Sequence, residues 1–99
     1  MRITPHQREV IVRTAREVFG DDIVVRLFGS RADDNKKGGD IDLFIDARGV
    51  VPNKTKKAIS LASKISIKMG DTIPIDVVIK DDKTDIKLIH QEGMKGLAL

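Results

Sequence analysis

The sequence contains no cysteine, tryptophan or tyrosine, and its only aromatic residues are three phenylalanines. The absence of cysteine excludes disulfides, thiolate metal sites and cysteine nucleophiles together. Because aromatic side chains are scarce and the net charge is only +3, we do not expect nucleic acid as a partner. No apolar run approaches the roughly 20 residues of a membrane span, so we expect a cytoplasmic protein without membrane contact.

The composition of the chain indicates one globular domain, which we expect to span residues 1–99. Hydrophobic residues make up 40% of the chain and charged residues 33%, a balance that supports a single core. The acidic residues are unevenly divided, with twelve aspartates against three glutamates. Aspartate suits turns, caps and compact metal sites better than helix interiors, and most of the twelve are expected to mark turns.

Local patterns predict three helices and three strands in the order α-β-β-α-β-α. The first helix starts at a capping box on Thr4 and ends at a left-handed cap on Gly20. The second runs from about Asn53 to Met69, its lysines forming a solvated face, and Gly70 closes it. The strands are predicted over 23–28, 40–45 and 74–79.

The third helix is predicted to be short. It should cover residues 84–92 and be closed by Gly93, with Ile86 and either Leu88 or Ile89 facing inward. Together the elements predict an α/β (α+β) fold, a small mixed sheet flanked by helices in two or three layers.

Two aspartates stand two positions apart at the start of the second predicted strand. Residues at this spacing project from the same side of a strand, so Asp40 and Asp42 should point together while Ile41 and Leu43 face the core. Two carboxylates about 5 Å apart repel by roughly 3 kcal/mol at an effective dielectric near 20. A divalent cation or solvent exposure must relieve that repulsion, and oxygen ligands favour magnesium or manganese.

A third aspartate interrupts the last predicted strand. Asp76 lies between Ile75 and Val77 in a stretch otherwise fit to be wholly buried, where a charge is costly unless it is paired or metal-bound. If this strand lies beside the second, three carboxylates converge as in a two-metal phosphoryl-transfer site. Asp76 as a satisfied edge-strand residue is the alternative, and a pair such as Asp40 and Asp42 arises often by chance in so aspartate-rich a chain.

The turn after the first strand adds groups suited to a phosphate. Gly29 lets the backbone approach an anion closely, and Ser30 can cap a following helical turn whose free N–H groups hold one. Arg31 supplies a permanent positive charge for phosphate oxygens or for an acidic neighbour.

The segments 27–32 (LFGSRA), 39–43 (GDIDL) and 75–78 (IDVV) together resemble the nucleotidyltransferase domain of the DNA polymerase beta superfamily. More closely, the chain is similar to the minimal nucleotidyltransferases of prokaryotes, which are about this size. The resemblance covers nearly the whole chain, and its three-part motif is fairly specific.

This resemblance implies transfer of a nucleoside monophosphate, AMP from ATP in the simplest case, with release of pyrophosphate. It implies two magnesium ions, or manganese, on Asp40 and Asp42, with Asp76 joining the ion that activates the acceptor hydroxyl. Gly29 and Ser30 would hold the triphosphate. Minimal members are typically encoded beside a helical HEPN protein, in pairs that look like toxin–antitoxin modules in which the transferase adds AMP to the toxin.

The chain departs from the family pattern at two points. Nine residues separate Ser30 from Asp40, where ten is usual, and Gly39 precedes the first aspartate, where serine is common. A shorter loop would shift the triphosphate, and a missing hydroxyl would remove one phosphate or metal-shell contact.

Four functions compete at this point. The leading one is a magnesium-dependent transferase that modifies a hydroxyl group of a partner protein. The second is an antitoxin that neutralises a HEPN-like partner by contact alone. The third is transfer to a small antibiotic, which usually needs an added helical domain, and the fourth is nucleic-acid polymerisation, which the modest charge disfavours.

Overall fold

The computed structural model describes residues 1–99. The helices and strands are α1 (Pro5–Phe19), β1 (Ile23–Phe28), β2 (Ile41–Ala47), α2 (Lys54–Met69), β3 (Ile75–Lys80), α3 (Leu88–Met94) and β4 (Leu97–Ala98). A short 3-10 turn, Gly29–Ala32, follows β1. The predicted order and fold class are confirmed, and the two-residue strand β4 is an addition that the sequence did not reveal. None of the helices has both the length and the apolarity needed to cross a membrane.

The four strands form one mixed sheet in the order β3-β2-β1-β4. β2 runs antiparallel to β1 and parallel to β3, so Leu43 has Leu27 on one side and Val77 on the other. The face that carries these three residues packs against α1 and α2. Its core is formed by aliphatic side chains from both layers: Ile11, Ala15, Val25, Leu27, Ile41, Leu43, Ile45, Leu61, Ile65 and Ile79.

The opposite face of the sheet is only partly covered. α3 packs over its middle, where Phe44 is fully buried. A Cβ atom added to Gly93 would overlap the Phe44 ring, so the glycine allows the helix backbone to lie directly on that ring. The same face carries Asp42 of β2, which is half-buried, and Asp76 of β3, which is exposed.

Three details of the predicted helices differ from the structure. Gly20 has a positive φ of 90° but an extended ψ of 177°, so it is not a left-handed cap. α3 starts at Leu88 and contains Gly93, because the glycine is needed against Phe44 inside the helix. Ile86, Leu88 and Ile89 are exposed rather than inward-facing, because α3 meets the sheet through Gly93.

A buried carboxylate secures the connection between the sheet and α2. Asp81 accepts hydrogen bonds from the N–H groups of Val51 and Lys83 and from the ammonium group of Lys54, at 2.8, 3.0 and 3.0 Å. The bond from Val51, followed by that from Lys54, holds the pKa of Asp81 well below its usual range. The ionised carboxylate of Asp81 is therefore the form that stabilises the fold.

Replacing Asp81 with asparagine is expected to lower the Tm, because the ion pair with Lys54 is lost. Since the pKa is lower in the folded state, the contribution of Asp81 is present above the usual aspartate pKa of 3.8 and is lost as the pH falls through the folded value. The difference in Tm should therefore be largest near neutral pH and shrink below about pH 4. Asp21→Asn, at an exposed carboxylate, is the control, and a pH-independent difference would contradict the assignment.

Candidate active site

Asp42 and Asp76 lie side by side on the partly open face of the sheet. Parallel pairing of β2 and β3 places them in direct register, which brings together two of the residues singled out from the sequence. Asp42 is half-buried, whereas Asp76 is exposed. The expectation of a wholly buried stretch around Asp76 is wrong, because β3 is an edge strand and its neighbours Ile75 and Val77 are only partly buried.

The electrostatics of this pair favour a bound cation. Burial raises the pKa of the Asp42 carboxyl, and the negative charges of Asp76 and Asp40 raise it further, as does a hydrogen bond shared with Asp76. Like charges on adjacent strands oppose each other across the ladder. The site therefore holds an uncompensated negative charge that a positive ion would relieve.

Asp40 lies at the edge of this arrangement. It immediately precedes β2 and is exposed, yet it is near enough for its charge to act on Asp42. No group of three or more acidic or histidine side chains surrounds a common point in the form of a ready metal cage. The donors are all carboxylate oxygens, which fit Mg²⁺ or Mn²⁺, and Asp42, together with Asp40 and Asp76, would hold such ions.

The turn after β1 lies against these carboxylates. Gly29 has a φ of +72°, and a Cβ atom at this position would overlap the carboxylate of Asp42. Glycine is therefore required twice, by the backbone conformation and by the close approach of the Asp42 side chain. This contact places the start of the Gly29–Ala32 turn directly beside the acidic pair.

Ser30 does not have the capping role expected of it. The 3-10 turn begins one residue earlier, at Gly29, so Phe28 occupies the cap position and no side chain bonds there. The Ser30 hydroxyl instead lies where a Cβ atom of Gly39 would be, and Gly39 has a φ of +89°. The two departures from the family pattern are thus linked, because in this short loop the backbone at position 39 folds onto the Ser30 hydroxyl and leaves no room for a side chain.

Arg31 supports the loop. Its Nε donates to the carbonyl of Gly39 at 2.9 Å and its Nη1 to the carbonyl of Arg2 at 3.1 Å, and it forms no ion pair. Neither of the two partners expected from the sequence, a phosphate oxygen or an acidic neighbour, is needed to hold it in place. Arg31 therefore positions the segment between Ser30 and Asp40.

Arg2 is a residue of the site that the sequence analysis missed. Its Nη2 donates to the carbonyls of Ser30 and Gly38 at 2.9 and 2.8 Å, and its backbone N–H donates to that of Arg31. Arg2 and Arg31 thus bind each other's backbone and fasten the N-terminal segment across the loop. No motif or periodicity could have placed Arg2 there, because the contacts span about thirty residues of sequence.

A surface cavity of about 820 Å³ lies along α1, and none of the aspartates, Gly29, Ser30, Arg31 or Arg2 lines it. The chemistry is therefore assigned to the open face of the sheet, where charge and backbone geometry converge.

Comparison with known proteins agrees with this assignment. No curated protein matches the chain. The family model for the nucleotidyltransferase domain matches residues 9–94, a range that includes the turn after β1 and all three aspartates. With that match over most of its length, and with its mixed sheet and paired carboxylates, the chain belongs to the nucleotidyltransferase domain family of the polymerase beta-like superfamily.

Proposed function

We propose that the chain is a magnesium-dependent enzyme that transfers AMP from ATP to a hydroxyl group of a partner protein. The observation that carries the proposal is the registered pair of Asp42 and Asp76 on an open sheet face, beside a glycine that lies against the Asp42 carboxylate. Membership of the family supports nucleotidyl transfer in general, and the protein acceptor is the more specific part of the proposal.

Each carboxylate has a distinct task. Asp40 and Asp42 would hold the magnesium ions, with Asp76 shared by the ion nearest the acceptor, and the bound metal supplies charge neutralisation and a more acidic hydroxyl. Asp76 is the most exposed member of the registered pair, so it is best placed to meet an incoming acceptor. It receives the proton of the acceptor hydroxyl and passes it to solvent.

The bond changes are those of a single displacement at phosphorus. The acceptor oxygen forms a bond to the α-phosphorus of ATP while the bond from that phosphorus to the oxygen bridging to the β-phosphate breaks. Pyrophosphate leaves with the electron pair of that bond. Gly29 lets the Asp42 carboxylate lie against the backbone of the turn, the Ser30 hydroxyl would donate to the triphosphate, and Arg2 and Arg31 hold the loop in place.

The acceptor approaches from outside the described fold. Asp76 is exposed and Asp42 is only half-buried, so a group from another molecule can reach them. The resemblance to minimal nucleotidyltransferases supports a helical HEPN-like protein as the partner, with the transferase acting as the antitoxin of the pair and AMP transfer as the neutralising step.

The proposal is tested by label transfer to a purified HEPN-like partner. With ATP labelled at the α-phosphate and Mg²⁺, we expect the partner to gain one label for each pyrophosphate released, and to gain none from ATP labelled at the γ-phosphate. Chelation with EDTA should abolish the transfer. If wild type and Asp76→Asn neutralise the partner equally well in cells and no label is transferred, the protein acts by contact alone and the proposal is wrong.

A further inference from the structure

The outer edge of β3 has no strand beside it. β3 pairs only with β2 and ends the sheet. The N–H group of Ile41 bonds to the carbonyl of Pro74 at 2.9 Å. In a parallel ladder the bonded groups alternate along each strand, so the N–H and C=O groups of Ile75, Val77 and Ile79 point away from β2. Such an open edge is a template for pairing with another extended chain.

Two adjoining grooves follow this edge between β3 and α2. Their volumes are about 480 and 430 Å³, and they share Ala58 and Val77. The first groove contains Asp76 and the side chain of Ile59, which is 67% exposed and supplies an apolar contact. The grooves therefore connect the catalytic carboxylate with the far end of the strand.

The second groove is basic. Its cations are Lys54, Lys83 and Lys87, and its carboxylate is Asp85. Lys54 is paired with Asp81, and His90 accepts a bond from the N–H group of Lys87, whereas the ammonium groups of Lys83 and Lys87 are exposed and make no ion pair. Lys83 and Lys87 outnumber Asp85 among the groove's charged groups outside the pair of Lys54 with Asp81. The groove therefore complements an acidic segment.

We propose that the acceptor is presented as an extended peptide segment that pairs with the open edge of β3. A hydroxyl side chain of that segment lies beside Asp76, and acidic side chains lie near Lys83 and Lys87. This inference rests on the proposed function, since it names how the acceptor of that reaction is bound. Recognition by strand addition obtains affinity from main-chain hydrogen bonds and specificity from alternate side chains.

The geometry of pairing delivers the hydroxyl to the reacting carboxylate. Residues directly opposite each other on neighbouring strands have Cβ atoms about 5 Å apart and project from the same face. A serine, threonine or tyrosine opposite Asp76 would therefore point to the face that carries Asp42. The groove that contains Lys83 and Lys87 is lined by β3 from Val77 to Ile79, which is about 3–10 Å along the strand from Asp76, so the acidic residues should lie a few positions from the hydroxyl.

Two other occupants fit the edge less well. α2, which flanks the grooves, contains five lysines and no acidic residue, so a second copy paired across a twofold axis would bring two basic helices together. A nucleic acid could accept from the edge N–H groups but would leave the edge carbonyls without donors along its backbone. An acidic peptide satisfies both the charge and the hydrogen bonds.

The first test uses fluorescent peptides and the wild-type protein without ATP. Each peptide has about twelve residues, in which valine and threonine alternate around a central tyrosine. Two versions are made, one with a glutamate cluster at the N-terminus and one with the cluster at the C-terminus. We expect saturable binding by one or both. Methylation of alternate backbone nitrogens should weaken binding about tenfold or more, because ladder bonds are lost, and lysine in place of glutamate should weaken it similarly.

Two protein variants complete the test. Val77→Pro removes an outward N–H group that β2 does not use, the position at which proline is tolerated on an edge, and should weaken peptide binding while far-UV circular dichroism stays unchanged. The double variant Lys83→Glu, Lys87→Glu does not alter the edge backbone. It should bind the glutamate peptide weakly and the lysine peptide well, because the charges of both partners are then reversed.

Failure of this inference is distinguishable from failure of the proposed function. If N-methylated and unmodified peptides bind equally, or if a partner protein is labelled equally by wild type, Val77→Pro and the double variant, edge pairing is wrong while transfer stands. If the peptide binds at the edge but no protein or peptide is labelled, the docking stands and the transfer activity is wrong. If the protein forms a dimer that Val77→Pro dissociates, the edge binds a second copy of the chain and the inference is wrong. If an oligonucleotide displaces the peptide, the edge binds nucleic acid and the inference is wrong as well.

Discussion

The variant Asp76→Asn is expected to transfer AMP about 10²–10⁴ times more slowly than wild type, the range for loss of a positioned base. ATP binding should be largely retained, because the triphosphate side of the site is unchanged. The same substitution should raise the Tm of the metal-free protein. It removes one of two like charges in direct register, and such pairs cost roughly 0.2–1 kcal/mol, which is a few degrees for a domain of this size.

Asp42→Asn should lose both ATP binding and turnover, because it removes the carboxylate on which the charges of both Asp40 and Asp76 act. Its effect on stability has a defined pH dependence. Since the pKa of Asp42 is raised in the folded state, folding is favoured below the usual aspartate pKa, and that advantage is lost as the pH rises through the raised value. In EDTA at neutral pH, Asp42→Asn should therefore melt higher than wild type, and the difference should disappear in acid.

The matched control for both variants is Asp46→Asn. Asp46 lies on the same face of β2 but is in register with Lys80 and bonds to it at 3.4 Å, so its replacement removes an attractive pair. Its Tm should stay level or fall, and its transfer rate should match wild type. Far-UV circular dichroism is the probe, because the protein has no tyrosine or tryptophan. A fall in Tm for Asp42→Asn in EDTA would show that the carboxylates of Asp42 and Asp76 do not repel each other enough to destabilise the fold.

The acidic residues of the site could be predicted from the sequence because they are expected to lower the stability of the fold while they support its activity. The alternation predicted from Asp40 to Ile45 determines which side chains share a face, and a chain that keeps Asp40 and Asp42 on the same side of a strand must resolve their repulsion. The register that places Asp42 opposite Asp76 follows less directly. It depends on the crossover through α2, and it was inferred only on the condition that the two strands are neighbours.

The parts that the sequence did not reveal share a physical cause. Local rules predict that Gly93 ends a helix, whereas in the structure it lies inside α3 against the ring of Phe44, which belongs to a distant strand. The role of Arg2 depends on carbonyls near residues 30 and 38, and the exposure of Asp76 depends on β3 being an edge. Local propensity carries no information about such long-range contacts. The turn after β1 also starts one residue before Ser30, at Gly29, which lies against the Asp42 carboxylate of a distant strand.

Gly29→Ala is expected to lower the transfer rate about 10²-fold, the cost of a misplacement of roughly 1 Å near the reacting groups. A Cβ atom at this position overlaps the Asp42 carboxylate, so that carboxylate must move toward Asp76 or away from the metal. Binding of Mg²⁺ with ATP, followed by calorimetry, should weaken in parallel. The substitution also carries the conformational cost of a non-glycine residue at positive φ, about 1–2 kcal/mol.

Gly49→Ala separates the two effects. Gly49 has the same φ of +72° as Gly29, but nothing lies within 4 Å of a Cβ atom built there. Both variants should therefore show the loss of Tm that comes from backbone strain, and only Gly29→Ala should lose nucleotide binding and turnover. In the double variant Gly29→Ala, Asp42→Ala the overlapping carboxylate is gone, so the Tm penalty of the alanine at 29 should shrink toward that of Gly49→Ala. If Gly29→Ala binds Mg²⁺ and ATP as wild type does, the turn after β1 does not hold the Asp42 carboxylate in its working position, and the triphosphate must be bound elsewhere on the sheet.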